Sequence, residues 1–217
     1  MIGRSDPVVA SPDGTFGQET DNEAKYSEAG GVERRLLSRF RRRVLAEVRP
    51  LAPARVLDAG CGEGHVTAWL AGALPGSEVT GVDGRADAVA AFRVRNPGLE
   101  AVEGDLRSLP FADGAFDLVV CTEVLEHLPE PAAVLRELAR VCSGHLLLTV
   151  PHEPFFRGGN LAARRYVSRL GSTPGHLSTW GRRGFVRLVA TEAEPVRWFS
   201  LFPWQGVLAR PRPAARG

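Results

Sequence analysis

Glycine and aspartate residues at the ends of short apolar runs are the residues of this chain that could bind a ligand. Residues 56–64 read Val-Leu-Asp-Ala-Gly-Cys-Gly-Glu-Gly, and an apolar pattern with helical spacing starts at Val66. This order predicts a strand, a tight turn and a helix, with backbone N–H groups at the start of the helix available to a ligand. We interpret the segment as a cofactor-binding turn.

The spacing of the glycines distinguishes between cofactors. The dinucleotide fingerprint has glycines at its first, third and sixth positions, so that a pyrophosphate binds at the helix N-terminus. Here the sixth position is His65, and the third glycine comes one residue earlier, at Gly64. Phosphate binding is therefore the weaker interpretation, and a nucleoside-type cofactor is favoured.

Two carboxylates follow at distances that suit a nucleoside. Asp83 ends the run 79–83, where it could accept hydrogen bonds from both hydroxyls of a ribose. Asp105 follows the run 99–103 and offers a carboxylate, or the next backbone amide, to the edge of an adenine.

Five segments in this order resemble the motifs of class I S-adenosylmethionine-dependent methyltransferases, and within them the group typified by the ubiquinone/menaquinone C-methyltransferases (methyltransferase type 11). The resemblance runs from about Arg55 to Val150, under half of the chain. The segments are Asp58-Ala59-Gly60-Cys61-Gly62-Glu63-Gly64, Gly81-Val82-Asp83, Gly104-Asp105-Leu106-Arg107-Ser108-Leu109-Pro110-Phe111, Phe116-Asp117-Leu118-Val119 and Glu123-Val124-Leu125-Glu126-His127-Leu128.

The resemblance implies S-adenosylmethionine as the cofactor, no metal, and a contact to each part of that molecule. Asp83 would bind the ribose, and Asp105 and Leu106 the adenine. Asp58 and the carbonyl of Thr122 would hold the methionine end. Further cofactor contacts are implied in the two turns, at Gly60, Cys61, Gly62, Gly64 and Gly84.

Methyl transfer from a sulfonium to oxygen, nitrogen or carbon is an in-line displacement, so it needs alignment and exclusion of water rather than a nucleophilic side chain. A hydroxyl acceptor would benefit from a general base, and histidine titrates near neutral pH. His127 lies where several sugar O-methyltransferases of the same group carry an active-site histidine, and His152 begins the loop after the fifth predicted strand. Both are candidates for a base, and both could instead be structural. O-methylation is slightly favoured over N- or C-methylation.

Apolar runs and helical patterns alternate from Arg55 onward, which predicts an α/β fold with a parallel sheet covered on both faces. The resemblance implies a Rossmann-like, doubly wound, seven-stranded sheet with an antiparallel last strand. The predicted strands are 55–59, 79–83, 99–103, 117–121, 144–150, 195–201 and 206–210, and the predicted helices are 63–73, 86–95, 130–142 and 181–190.

Two segments precede this pattern. Residues 1–30 are rich in Gly, Asp, Ser and Pro and are predicted to be flexible. The resemblance gives Tyr26 in that segment the role of a lid over the cofactor. Residues 31–49 form an amphipathic helix crowded with arginine, which could contact an anionic membrane or nucleic acid. We prefer packing of its apolar stripe on the sheet.

Residues 151–180 are predicted to be an insertion within a methyltransferase domain that spans residues 31–217. An insertion at the carboxyl end of a parallel strand covers the ligand crevice of such a sheet, so it would form a substrate lid. It contains a predicted short helix, 161–170, and the side chains of Phe155, Phe156, Arg157, Arg165, Tyr166, His176 and Trp180. A pocket lined by these aromatic, histidine and arginine side chains would suit a small-molecule acceptor that carries apolar surface and an anionic group.

The formal net charge of +2 conceals a segregation of charge along the chain. Residues 51–150 hold 7 Arg against 14 acidic residues, whereas residues 151–217 hold 11 Arg against 3. A basic C-terminal part can steer an anionic partner. The arginines also agree with amino-acid usage in a GC-rich genome, because Lys25 is the one lysine of the chain.

Length and composition predict one ordinary globular domain, since the chain has 217 residues of which 44% are hydrophobic. The three cysteines lack CxxC spacing, which indicates neither a disulfide framework nor a zinc site, and Cys61 is expected to be a small buried thiol. Neither a signal sequence nor an apolar run of about 18 residues occurs, so a cytoplasmic protein without a membrane span is predicted.

The sequence thus predicts a methyltransferase acting on a small molecule, such as a specialised metabolite or an anionic lipid-linked sugar, without a nucleic acid partner. Peripheral membrane contact and the oligomeric state stay open. One alternative is a nicotinamide-dependent oxidoreductase, which would bind nicotinamide instead of S-adenosylmethionine. Another is a non-catalytic cofactor- or RNA-binding module, which would lack turnover.

Overall fold

In the computed structural model, which describes residues 31–152 and 177–212, helices alternate with strands along the chain. The helices are α1 (Gly31–Val48), α2 (His65–Ala73), α3 (Ala86–Arg95), α4 (Pro131–Val141) and α5 (Arg182–Glu192). The strands are β1 (Arg55–Ala59), β2 (Glu78–Asp83), β3 (Glu100–Glu103), β4 (Phe116–Thr122), β5 (Cys142–Pro151), β6 (Ala193–Leu201) and β7 (Trp204–Pro211). Two 3-10 turns cover Arg49–Leu51 and Leu125–His127.

The described strands form one seven-stranded sheet in the order β3-β2-β1-β4-β5-β7-β6. Strands β1 to β5 pair in parallel, and β7 lies antiparallel between β5 and β6. Strands β2 and β3 follow β1 on one side, whereas β4 lies on the other side of β1, so the strand order reverses between β1 and β4. In sheets of this kind, ligands bind in the crevice at the carboxyl ends of the two strands where the order reverses. The predicted Rossmann-like fold with its antiparallel last strand is confirmed.

The central strands are apolar because helices cover both faces of the sheet. In β5, four of the side chains from Leu146 to Val150 are fully buried aliphatic residues. One core cluster packs α4 and α5 on the sheet through residues such as Leu138 and Phe185. A second packs α1 and α2 on the opposite face through residues such as Val44 and Leu70. Helices thus cover both faces of the sheet, so a ligand would bind at the ends of the strands.

The apolar stripe of helix α1 is buried inside the fold. Phe40, Val44, Leu45 and Val48 are buried in the second cluster, and most of the arginines of the helix are exposed. Glu47 is 3% exposed and pairs with Arg43 at 2.8 Å and with Arg197 of β6. The helix is therefore packed on the sheet, as preferred from its sequence pattern, and an ion pair connects it to the edge strand.

The observed boundaries differ from the predicted ones mainly at α2 and β5. Helix α2 begins at His65, two residues later than predicted, because Gly62 and Gly64 adopt φ values of 51° and 83° that end the turn outside helical geometry. Strand β5 starts at Cys142, where the prediction has the end of a helix, since α4 passes into the strand without a loop.

Several predictions concern residues outside the described ranges. They are the flexible segment 1–30 with its lid residue Tyr26, the helix 161–170, and the side chains of Phe155, Phe156, Arg157, Arg165, Tyr166 and His176. Within residues 31–152 and 177–212, the helices are too short or too polar to cross a membrane.

Candidate active site

The glycine-rich turn after β1 is held between two neighbouring segments. The N–H groups of Gly60 and Cys61 both donate to the carbonyl of Val82 in β2, at 2.8 and 3.0 Å. Gly60 has a φ of 76°, and a Cβ atom there would lie 2.4 Å from a methyl group of Val124. A side chain at this position would therefore collide with the segment that follows β4. Position 60 of the turn therefore requires glycine.

Asp83, at the end of β2, is fixed by the turn. Its Oδ2 accepts the N–H of Gly62 at 2.8 Å, and its Oδ1 accepts the N–H of Arg85 at 3.0 Å. A carboxylate has about four acceptor positions, so each oxygen of this half-buried side chain retains one for a ligand. This is the arrangement that two adjacent hydroxyls require.

Asp58 lies deeper than its predicted role suggests. Its side chain is 1% exposed, and Oδ2 accepts the hydroxyl of the buried Thr67 at 2.6 Å. Burial raises the pKa of Asp58 to about 7, and the nearby Asp83 carboxylate adds to this, whereas the Thr67 hydrogen bond opposes it. The carboxyl thus joins β1 to α2 beneath the turn. Thr67 was not predicted as a site residue, although a hydroxyl on the buried face of a mostly apolar helix is a signal of such a contact.

The carboxylate of Asp105, which follows β3, is hydrogen-bonded to a neighbouring residue. Both of its carboxylate oxygens accept hydrogen bonds from the Arg107 guanidinium, at 2.7 to 3.1 Å, and one also accepts the Arg107 N–H at 2.8 Å. These bonds lower the pKa of Asp105, so it stays ionised. Leu106 is buried in the core. Within the described residues, a Cβ atom at Gly84 would have one neighbour inside 4 Å, the Gly104 carbonyl oxygen at 3.8 Å, so the backbone of this turn is open.

Two predicted site residues, Thr122 and His127, lie at the end of β4 and in the segment that follows it. Thr122 is half-buried at the end of β4, and the next residue, Glu123, has a φ of 58° and donates its N–H to the Thr149 carbonyl at 3.1 Å. His127 ends the 3-10 turn Leu125–His127 and donates its N–H to the Val124 carbonyl at 3.0 Å. The left-handed Glu123 turns the chain where β4 ends, and His127 follows in the next turn with its side chain half-buried.

Glu126 joins this segment to the chain that returns at residue 177. Its carbonyl accepts the N–H groups of Leu177 and Ser178, at 2.8 and 3.1 Å. Its own side chain is buried. No sequence pattern indicates this contact, because the partners are distant in the chain and the hydrogen bonds are made by backbone atoms.

His152 lies directly after β5. Its N–H donates to the Pro203 carbonyl at 3.0 Å, and its ring lies edge-on to Trp198 with 6.0 Å between centroids. Burial lowers the pKa of His152 below its ordinary value of 6.5. The structure thus brings both candidate histidines to the ends of the adjacent strands β4 and β5.

Comparison with known proteins agrees with this geometry. A model of the methyltransferase domain family matches residues 57–147. A ubiquinone biosynthesis O-methyltransferase of Xanthomonas oryzae is 33% identical over 175 residues, which cover 71% of this chain and 70% of the relative. A Mycobacterium tuberculosis protein named as a probable S-adenosylmethionine-dependent methyltransferase is 39% identical over 125 residues, 55% of this chain. The matched region spans only 45% of that longer relative.

Among solved structures, a chain from the complex with the Trm112 methyltransferase activator of Haloferax volcanii aligns with a TM-score of 0.70. The alignment covers 91% of this chain and 99% of the other, at 18% identity, so it supports the fold alone.

The fold and the glycine turn define a doubly wound α/β domain with a ligand crevice at the ends of β1 and β4. The similarity in sequence goes further, since it extends through the turn, the strands and the segment after β4. The chain belongs to the S-adenosylmethionine-dependent methyltransferases.

Proposed function

We propose that the chain transfers a methyl group from S-adenosylmethionine to a small-molecule acceptor, and that the accepting atom is an oxygen. One observation carries the cofactor assignment. Asp83 is held by the Gly62 N–H and the Arg85 N–H, and it retains an acceptor position on each oxygen. That geometry suits a ribose and follows from the turn itself.

The other cofactor contacts are proposed on the same basis. The open space beside Gly84 supports an adenine lying near this turn, bordered by Leu106 and by Asp105, whose carboxylate Arg107 orients. The methionine end would reach the Thr122 carbonyl, with the turn from Gly60 to Gly64 beneath it. Asp58 would act from below, through the negative charge that it acquires when it loses its proton.

The chain's own residues would orient the reactants, exclude water and take up a proton. When bound, the cofactor supplies an electrophilic methyl group on a sulfonium centre. Alignment of the acceptor with that methyl can lower the barrier by about 7 kcal/mol or more. For a hydroxyl acceptor, His152 is a suitable base because its lowered pKa keeps the imidazole neutral at physiological pH. His127 is the second candidate.

The acceptor side is proposed to be completed by residues 151–180, as an insertion within a domain that spans residues 31–217. Within its described part, the N–H groups of Leu177 and Ser178 donate to the Glu126 carbonyl, and Trp180 forms a β-bridge with His152. This position supports a role in covering the acceptor. Membership of the family favours methyl transfer over the oxidoreductase and the non-catalytic module, and we keep a cytoplasmic location as part of the proposal.

Replacing Asp83 with alanine is expected to weaken S-adenosylmethionine binding by about 1–3 kcal/mol, because charge-assisted hydrogen bonds to the ribose are lost. Isothermal titration calorimetry measures this directly. The matched control is Asp87→Ala, which removes an exposed carboxylate on α3 that pairs with Arg85. An unchanged affinity in folded Asp83→Ala would contradict the assignment. Binding of NADH without S-adenosylmethionine binding would instead establish the oxidoreductase.

Replacing the catalytic histidine with glutamine is expected to lower kcat by about a hundredfold while cofactor affinity stays unchanged, since general-base catalysis contributes at least that factor. An acceptor is first found by screening for a mass gain of one methyl group. His152→Gln and His127→Gln are then compared. If His152 is the base, the acid limb of the pH–rate profile of the parent lies below pH 6.5, because burial lowers its pKa. Parental kcat in both variants would remove the argument for an oxygen acceptor that needs a histidine.

A further inference from the structure

A groove of about 470 Å³ lies between helix α5 and the edge strand β6, outside the cofactor crevice. Its volume falls within the range of small-molecule sites. Its walls combine apolar side chains with arginine. The lining residues are Arg182, Arg183, Val186, Arg187 and Ala190 on the helix side, and Pro195, Val196, Arg197 and Trp198 on the strand side.

The positive charge of the groove is only partly neutralised. Arg197 pairs with Glu47, and the Arg182 guanidinium lies over the Trp198 ring at 4.3 Å from its centroid. Within residues 31–152 and 177–212, Arg183 and Arg187 form neither an ion pair nor a hydrogen bond through their side chains. Two guanidinium groups beside an apolar wall are therefore available to an anion, which they can bind in a bidentate manner.

The groove adjoins the acceptor end of the sheet through one aromatic side chain. Trp198 contacts Arg182 in the groove and the ring of His152 at the end of β5. Its indole N–H donates to the side chain of the buried Gln205 at 3.2 Å, and the amide of Gln205 donates to the Trp180 carbonyl at 2.6 Å. Gln205 thus fixes Trp198 as a wall shared by the groove and the surroundings of His152.

We propose that this groove binds the anionic end of an amphiphilic acceptor, a phosphate or carboxylate group attached to an apolar chain or ring. Arg183 and Arg187 bind the anion, and Val186, Pro195 and Val196 contact the apolar part. The groove takes the free molecule, because a recess between a helix and a strand admits a slender ligand, whereas a flat bilayer reaches only its rim. The inference rests on the proposed methyl transfer solely in naming this anion as part of the acceptor.

Octyl phosphate serves as the probe, titrated into the full chain and followed by calorimetry. The double variant Arg183→Gln with Arg187→Gln is expected to weaken its binding about tenfold or more, because both charge-assisted contacts are removed. The control, Arg34→Gln with Arg35→Gln on the exposed surface of α1, makes the same change in net charge and should alter the affinity less than about twofold. Octyl glucoside and inorganic phosphate should each bind the parent more weakly than octyl phosphate.

S-adenosylmethionine affinity is measured in parallel and should stay unchanged in both double variants, which separates loss of the groove from loss of the fold. Equal weakening in the control variant would overturn the site, since the effect would then be one of net charge. Binding to mixed phosphatidylcholine and phosphatidylglycerol vesicles without binding of octyl phosphate in solution would overturn it in favour of a membrane surface. If the groove variant weakens octyl phosphate binding but leaves the KM of the identified acceptor unchanged, the site stands and its assignment to the acceptor fails.

Discussion

Gly64→Ala is expected to destabilise the fold by about 3 kcal/mol or more, because the new methyl group has no room and the backbone is left-handed. A Cβ atom at Gly64 would lie 2.4 Å from the side-chain nitrogen of Asn96 and 2.5 Å from the ring of Phe92. Phe92 is fully buried, so the ring cannot move aside without opening the core. The φ of 83° adds a smaller strain of its own.

Gly76→Ala is the matched control, since Gly76 has a φ of 92° but no atom within 4 Å of the site of a Cβ atom. It should cost about 1 kcal/mol, the backbone part alone. Urea denaturation of the two variants therefore isolates the steric part as a difference of about 2 kcal/mol. Equal losses in both variants would show that the packing of the turn at Gly64 against the end of α3 is more adaptable than the structure indicates.

The same substitution should impair cofactor binding in the fraction that still folds. Gly64 precedes α2 and donates its N–H to the Cys61 carbonyl at 2.9 Å, which closes the turn. Displacing it shifts the Gly62 N–H that holds Asp83. The glycine that comes one residue early for a dinucleotide site is thus required by the close approach of the turn to Phe92 and Asn96 at the end of α3.

Most of the fold could be predicted because its signals are local. The apolar runs, the glycine turn and the proline at the start of α4 each fix an element within a few residues of its observed ends. The residual errors at α2 and β5 occur where the transition depends on backbone conformation rather than on residue type. The strand order required the family resemblance, since periodicity alone leaves the pairing of strands undetermined.

Many supporting contacts of the site could not be predicted, because they join residues that are distant in the sequence. Gln205 contacts the Pro151 carbonyl and the Trp180 carbonyl from the far end of the chain. The pairing of Asp105 with Arg107 was within reach, since the residues are two apart. The predicted anion-binding residues Arg157 and Arg165 lie outside the described residues, whereas Arg183 and Arg187 of α5 line a groove within them.

Asp58→Asn is expected to remove a strong dependence of stability on pH. The pKa of Asp58 rises from the ordinary 3.8 to about 7 in the folded state, mainly because burial disfavours its charged form. Between these two values the folded state binds more protons than the unfolded state, so stability falls as pH rises. The loss of folding stability is absent below the ordinary pKa of 3.8 and complete above the folded-state pKa of about 7, where it amounts to about 4 kcal/mol.

Urea denaturation of the parent and of Asp58→Asn from about pH 4 to about pH 8 measures this cost as the change in the difference between their free energies of unfolding. Thr67→Val is the companion variant. It removes the hydroxyl that donates to Asp58 at 2.6 Å and stabilises the charged form, so it should raise the pKa of Asp58 further and extend the loss of stability to higher pH. Parallel pH profiles for the parent and Asp58→Asn would show that Asp58 is ionised throughout. Saturating S-adenosylmethionine should reduce the pH dependence of the parent, because the proposed binding mode would place its sulfonium cation near Asp58 and so favour the charged carboxylate.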